Sequence, residues 1–170
     1  MPASNQKSEV RGKLLKYAAN ILSRRPYFRH ALKQKLLLYA EKNKYPCHSG
    51  PDPESSQNIH IIDQIITELA ASGYLDDIYL AEAYVRRQLG KCYGPKIIEL
   101  KLKQLGLDQA TIKNALFSEA TKEAQTEAIQ KFLAKYSRQD LRKVIDKLYR
   151  RGFPSSLIHR TTSFPQGLSS

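Results

Sequence analysis

Three side chains of this sequence have the chemistry to ligate a metal ion: Cys47, His48 and His60. Thiolate and imidazole groups are ligands that zinc prefers, but zinc modules arrange them at characteristic spacings. These three residues do not have such a spacing, and the first two stand in a segment rich in proline, serine and asparagine. We therefore predict no metal site and no cofactor.

Two adjacent carboxylates, Asp76 and Asp77, could form an acid/base pair or bind a divalent cation. Adjacent carboxylates at a helix start more commonly accept hydrogen bonds from the free N–H groups and stabilise the helix dipole. The sequence contains no glycine-rich phosphate loop, His-Glu-x-x-His pair, nucleophile elbow or paired-cysteine motif. It predicts no catalytic residues, and hence a binding protein and not an enzyme.

Basic side chains are a better indication of function. They form two runs at helical spacing, one over residues 24–33 and one over residues 143–151, and the first run contains no acidic residue. A role in solubility alone is the alternative for such faces. Arg150 and Arg151 stand near a predicted helix end, where we expect both to be exposed.

A third basic group surrounds Tyr93, whose ring could stack on a partner, with packing as the alternative role. Together these groups predict a partner-binding surface. Its residues are Arg24, Arg25, Arg29, Lys33, Lys91, Tyr93, Lys96, Lys143, Lys147, Arg150 and Arg151.

The net charge is +12, from 28 Lys and Arg against 16 Asp and Glu in 170 residues. This excess favours an anionic partner: nucleic acid, a nucleoprotein, an acidic protein face or an anionic membrane. The charge is uneven, since residues 1–44 carry +9, residues 45–85 carry −7 and residues 86–170 carry +10. An acidic segment between two basic ones predicts distinct faces, each acting over about 10 Å because salt screens longer distances.

Only two cysteines occur, Cys47 and Cys92, which is too few for a disulfide scaffold and is typical of a reducing compartment. Residues 1–16 contain no apolar stretch of a secretory signal. No segment approaches the roughly 20 apolar residues of a membrane span. We therefore expect free thiols, a cytoplasmic protein and no membrane partner.

Apolar residues recur at helical spacing through most of the chain, and the composition favours helix formation, so the predicted fold is all-α. A first helix should end near Ser23. A second should have Pro26 in its first turn and run to about Lys42. Residues 43–58 contain three prolines, a glycine and several Ser and Asn residues, which predicts a long surface loop.

Three glycines, Gly73, Gly106 and Gly152, end predicted helices in a common sequence context. Each follows a leucine by four residues and precedes a large apolar side chain, as in helix ends where glycine adopts positive φ. This ending is widespread, but the agreement continues to apolar residues eight before and six after, which favours tandem stacked units. We predict repeats over residues 11–75, 76–118 and 119–160, between flexible termini at residues 1–10 and 161–170.

The segment Gly73-Tyr-Leu-Asp-Asp-Ile-Tyr-Leu-Ala81, followed by Lys91-Cys-Tyr-Gly-Pro-Lys-Ile-Ile98 and Leu102-Lys-Gln-Leu-Gly106, resembles the central signature of the RecX regulatory proteins. Two further segments, Leu22-Ser-Arg-Arg25 and Leu32-Lys-Gln-Lys-Leu36, are similar to that family's N-terminal repeat. Its C-terminal repeat is matched by Leu148-Tyr-Arg-Arg-Gly-Phe153. The resemblance spans residues 18–160, in the family's order.

The resemblance implies three tandem three-helix repeats in an elongated, curved array, and a monomer that lodges in the helical groove of the RecA–DNA filament. There it would suppress ATP hydrolysis, strand exchange and co-protease cleavage, and so modulate DNA repair and the SOS response. The basic runs would meet RecA, with single- or double-stranded DNA as a further partner. A general nucleic-acid-binding helical protein is the alternative. The chain departs from the family's usual residues at Ala31, Tyr79, Cys92, Ile97 and Lys101.

Overall fold

The computed structural model describes residues 3–45 and 53–163 of the chain. Within these ranges the backbone forms helices joined by turns, without a strand, which confirms the all-α prediction. No described helix is long and apolar enough to cross a membrane. The described helices are α1 (Ala3–Leu22), α2 (Arg29–Lys42), α3 (Pro53–Ala71), α4 (Asp77–Gly90), α5 (Pro95–Gln104), α6 (Gln109–Glu119), α7 (Lys122–Lys135), α8 (Leu141–Arg150) and α9 (Ser155–Ser163).

The helices pack in consecutive sets of three. In the first set, α1, α2 and α3 contact one another, and Leu14, Leu36 and Ile62 are fully buried between them. The buried residues of α1 and α2 recur every four positions, so each helix turns one apolar stripe toward the shared core. Tyr17 and Tyr39 stack beside this core, with ring centroids 4.2 Å apart. The described residues up to Leu80 form a compact unit, which we call unit 1.

The second and third sets lie mainly in another compact unit, formed by the described residues from Ala81 onward, which we call unit 2. In the second set, α5 packs on α6, and Ile98 and Ile112 are fully buried. In the third set, α7 and α8 both pack on α9 around a core that includes Leu148 and Ile158. The tandem three-helix arrangement predicted from the sequence is therefore confirmed.

The first helix begins earlier than the apolar pattern predicted. It starts at Ala3, so the prediction of a flexible segment over residues 1–10 is wrong for residues 3–10. Val10 is buried on the face that Leu14 continues, which anchors the added turns. Glutamine, lysine and glutamate are good helix formers, and they extend the helix without apolar periodicity of their own.

Another helix, α3, begins inside the segment that the sequence predicted as a loop over residues 43–58. Its first residue is Pro53, so the loop prediction is wrong for residues 53–58. Proline has no backbone N–H to donate, but the first residue of a helix has no partner for that group in any case. The proline is therefore a helix start here and not a helix breaker.

The start of α2 is set by a residue far along the chain. It begins at Arg29, three residues after Pro26, so the prediction that this proline lies in the first turn is wrong. Phe28 precedes the helix in an extended conformation and has no polar side chain to cap it. The cap comes from Asp77, whose Oδ1 accepts a hydrogen bond from the Arg29 backbone N–H at 2.9 Å. The sequence around α2 does not indicate this contact, because Asp77 lies 48 residues further along the chain.

The three glycine endings are left-handed helix caps, as predicted. The φ angle is +76° at Gly73, +82° at Gly106 and +83° at Gly152. Each glycine N–H donates to the carbonyl three residues before it, at 2.9–3.1 Å. The next residue's N–H donates to the carbonyl of the preceding leucine, at 2.9–3.3 Å. Both bonds satisfy helix carbonyls that would otherwise lack partners.

These glycines do not all end equivalent helices, so the predicted register is wrong for the first set. Gly106 and Gly152 follow the second helices of their sets, whereas Gly73 follows the third. The equivalent ending in the first set is that of α2, where Lys44 has a φ of +59° and the same two hydrogen bonds close the helix. Because a lysine stands where the other two sets have glycine, the glycine pattern did not identify the end of α2 as the equivalent helix end.

We predict that Lys44→Gly raises the free energy of unfolding by about 0.5–1 kcal/mol, because glycine adopts positive φ without the steric cost that an L side chain incurs. Gly106→Val should lower it by about 1 kcal/mol or more, since a β-branched residue is strained there. Thermal and urea unfolding measure both variants. Equal stability of both variants and the parent would show that these helix ends are not left-handed in solution.

Candidate binding surface

The adjacent carboxylates Asp76 and Asp77 are both used as helix caps. Oδ1 of Asp76 accepts from the Tyr79 N–H at 2.9 Å at the start of α4, as the sequence predicted. Asp77 caps α2 through Arg29 and also lies 3.9 Å from that residue's Nε. Because both carboxylates have structural partners, the arrangement supports a role in folding.

Of the three residues considered as metal ligands, only His60 lies among the described residues. Its Nε2 lies 3.1 Å from Nε2 of Gln64, one helical turn away. Cys47 and His48 fall outside the described residues. Within the described part of the chain, no group of three or more His, Cys, Asp or Glu side chains is placed to hold a metal ion.

Two of the predicted binding cations in unit 1 are already paired. Nζ of Lys33 lies 2.5 Å from a carboxylate oxygen of Asp63 on α3, and Arg29 faces Asp77. The sequence run looked unneutralised because its acidic partners come from other helices, where spacing along one helix cannot reveal them. The charges of these two residues are therefore balanced by carboxylates of unit 1 itself.

The other two, Arg24 and Arg25, lie exposed in the turn between α1 and α2. Nε of Arg25 donates to the Tyr27 hydroxyl at 2.8 Å, and its guanidinium lies 4.7 Å from that ring's centroid. No described carboxylate lies within ion-pair distance of either arginine. Their charges remain available to a partner.

In unit 2, the turn between α4 and α5 meets the C-terminal end of α8. The Gly94 N–H donates to the Arg151 carbonyl at 2.7 Å, and Nη1 of Arg151 donates to the carbonyls of Lys91 and Cys92 at 2.9 and 3.0 Å. Predicted binding residues some 60 positions apart in sequence are thus brought together. We call this group the basic joint; it consists of Lys91, Tyr93, Lys96, Lys101, Arg150 and Arg151.

Arg151 is structural as well as basic. It is half-buried, and its guanidinium lies 4.8 Å from the Tyr93 ring centroid and 4.7 Å from that of Phe132. The expectation that it is exposed is therefore wrong, whereas Arg150 is exposed as predicted. Lys101 also approaches the Tyr93 ring, at 3.7 Å, so this ring stabilises two cations of the protein itself.

The cations of the basic joint have no described carboxylate within ion-pair distance. The neighbouring carboxylate of α5, Glu99, pairs instead with Lys103, whose hydrogen bond is the main reason that its pKa is lowered. Asp146 stands one turn before Arg150 on α8 but forms no ion pair with it. The joint is therefore a patch of positive charge open to an anion.

A second exposed group continues this charge along α8. Lys143, Lys147 and Arg150 lie on one exposed face of the helix, to one side of the buried Val144 and Leu148. Nζ of Lys147 donates to Gln139 and lies 4.8 Å from the Tyr136 ring centroid, which holds it along the surface. Lys101 is the one residue of this surface that was not among the predicted binding residues; in the sequence it stood out only as a departure from the family's usual residue.

The basic joint depends on a close approach of two backbones. A Cβ added to Gly94 would lie less than 3.0 Å from the backbone of Gly152 and Phe153. A Cβ on Gly152 would in turn meet Ile97 at 2.8 Å and Lys96 at 3.1 Å. Glycine is required at both positions because no other residue lets α5 and α8 meet at this distance.

We predict that Gly94→Ala lowers the free energy of unfolding by about 1–3 kcal/mol, since the added methyl forces the two backbones apart. The matched control is Gly90→Ala, at the exposed end of α4, where an added Cβ meets nothing within 4 Å. That change should leave stability the same or raise it by up to about 1 kcal/mol. Chemical denaturation of both variants tests this, and equal destabilisation would contradict the close approach.

Comparison with known proteins shows which family the chain resembles. Residues 76–116, which cover α4 to α6 except for the last residues, match the family described as RecX, second three-helix domain. A regulatory protein RecX from Xanthomonas axonopodis pv. citri is 32% identical over 152 residues, which are 86% of this chain and 84% of that protein. One from Pectobacterium atrosepticum is 29% identical over 104 residues, 61% of this chain and 64% of that protein. The crystal structure of RecX from Lactobacillus salivarius is 25% identical, with a TM-score of 0.70 over 92% of this chain and 96% of that chain.

Proposed function

Because the chain belongs to the RecX family of regulatory proteins, we propose that it regulates RecA by binding in the groove of the RecA–DNA filament. Bound there as a cytoplasmic monomer, it inhibits ATP hydrolysis, strand exchange and co-protease cleavage, and so modulates DNA repair and the SOS response. The effect comes from binding, without chemistry of its own.

The observation that carries this proposal is the basic joint. Two of its cations, Lys101 and Arg151, are held on one aromatic ring, Arg151 also by backbone carbonyls, and no described carboxylate lies within ion-pair distance of any of its cations. Like charges held this close repel one another, and an anion that joins them relieves the repulsion. DNA phosphates and acidic recombinase side chains are both suitable anions.

Unit 1 supports the same proposal with two cations that no described carboxylate pairs with, Arg24 and Arg25. Since each unit carries cations that pair with none of its described carboxylates, an extended partner can engage the two units separately. Linked binding of two modules gives a higher overall affinity than either module alone. A polyanionic filament has the length and charge for such binding.

The same cations also favour a general nucleic-acid-binding protein, which is the second candidate function. The two functions differ in stoichiometry. A filament regulator acts when it is scarce relative to recombinase, whereas a DNA-coating protein acts only when it is abundant enough to cover the DNA. DNA-dependent ATP hydrolysis by the host RecA, measured over a range of protein concentrations, separates them. Inhibition only at coating concentrations would overturn the filament proposal.

We predict that Arg150→Glu raises the protein concentration needed for half-inhibition by roughly three- to tenfold, because it reverses an exposed charge in the basic joint. The matched control is Lys7→Glu, which makes the same charge change on the exposed side of α1. The control should inhibit like the parent, and both should keep the parent's melting temperature. Equal inhibition by the two variants at low salt would exclude the basic joint from the interface.

A further inference from the structure

Unit 1 contains an open apolar cleft of about 450 Å³ that none of the helices of the first set fills. It lies where the C-terminal ends of α1 and α3 come together. Its wall is mostly apolar, and the hydroxyl of Ser23, one of its two hydroxyl-bearing residues, already donates to the Asn20 carbonyl at 2.8 Å. The lining residues are Ala19, Leu22, Ser23, Pro26, Leu69 and Tyr74.

The end of α3, which borders this cleft, differs from the end of α8 in the exposure of the residue after the glycine. At a helix end of this kind, the residue after the glycine can pack on the leucine that lies four residues before the glycine. Phe153, at the end of α8, does so and is only 2% exposed. Tyr74 leaves 68% of its surface exposed and Leu69 only partly covered. The cleft is thus a helix end whose apolar contact is incomplete.

The charge around the cleft is positive. Arg24 and Arg25 occupy the positions between two lining residues, and neither pairs with a described carboxylate. Four described carboxylates of the acidic segment, which forms the other wall, have partners of their own: Glu68 pairs with Arg11 at 2.6 Å, Asp63 and Asp77 pair with α2, and Asp76 caps α4. The uncompensated charge at the rim is therefore that of the two arginines.

From this arrangement we propose that the cleft binds an acidic protein segment through one large apolar side chain. The side chain enters between Leu22 and Leu69, and the Tyr74 ring closes over it. Acidic residues on either side of this anchor pair with Arg24 and Arg25. An apolar anchor in a pocket with charged residues at the rim is a common arrangement at protein interfaces.

A nucleotide base fits this cleft less well than an apolar side chain does. Bases carry hydrogen-bonding groups on their edges, and burying these without partners costs free energy. The cleft offers such a base little, because its serine is already bonded and its other lining side chains, except for the Tyr74 hydroxyl, are apolar. The arginines alone do not distinguish the two partners, so nucleic acid is included in the test.

The test uses two synthetic peptides, acetyl-Asp-Glu-Phe-Glu-Asp-amide and the same peptide with serine in place of phenylalanine. Each is titrated into the full-length protein while the methyl NMR signals of Leu22 and Leu69 are followed. We expect saturable shifts with the phenylalanine peptide and none with the serine peptide. Tyr74→Ser should abolish the shifts. Replacing both Arg24 and Arg25 by serine should weaken binding roughly three- to tenfold at low salt.

The matched control is Tyr79→Ser, which removes another exposed tyrosine outside the cleft and should leave the titration unchanged. Equal shifts with both peptides, or unchanged binding by Tyr74→Ser, would overturn the inference. Larger shifts of the same methyl groups with an oligothymidylate would assign the cleft to nucleic acid instead. Because no recombinase is present, the result is independent of the ATP-hydrolysis measurement that tests the proposed function.

Discussion

The contact between the backbones at Gly94 and Gly152 holds unit 2 in the arrangement that gives it a basic surface. Two constraints meet at Gly152, which needs a positive φ to end α8 and needs to lack a Cβ so that α5 can approach. One residue type satisfies both. The hydrogen bond from the Gly94 N–H to the Arg151 carbonyl then fixes the register between the two helix ends. The basic residues on either side of these glycines are positioned by the backbone itself.

Neutral groups at helix ends also explain how two cations, Arg151 and Lys101, are held together with no described carboxylate beside them. The last carbonyls of a helix are partly negative and lack intrahelical donors. Arg151 supplies donors to the carbonyls of Lys91 and Cys92, just after α4. The Tyr93 ring adds a negative face for Arg151 and Lys101. Neutral groups thus stabilise these charges, and the patch keeps its positive potential toward solvent.

The helical fold and the glycine caps followed from sequence because both are local. Spacing of apolar residues identifies a helix face, and a glycine after a leucine identifies its end. The features that were predicted wrongly depend on residues distant in sequence, or on a residue type that is unusual at its position. Asp77 sets the start of α2, carboxylates from other helices neutralise Lys33 and Arg29, and Lys44 replaces the glycine of the true repeat. Likewise, the basic joint combines residues that no single segment contains.

The first set of helices is completed by residues that follow it. Leu75 and Asp77 both stand after α3 ends, yet Leu75 is buried in the core of unit 1 and Asp77 caps α2. A fragment cut at the end of α3 would lack both, although all three helices would be present. During synthesis on the ribosome, α2 therefore has its cap only after the chain has emerged as far as residue 77. A fragment that keeps both contacts must therefore extend to residue 77, six residues beyond the last turn of α3.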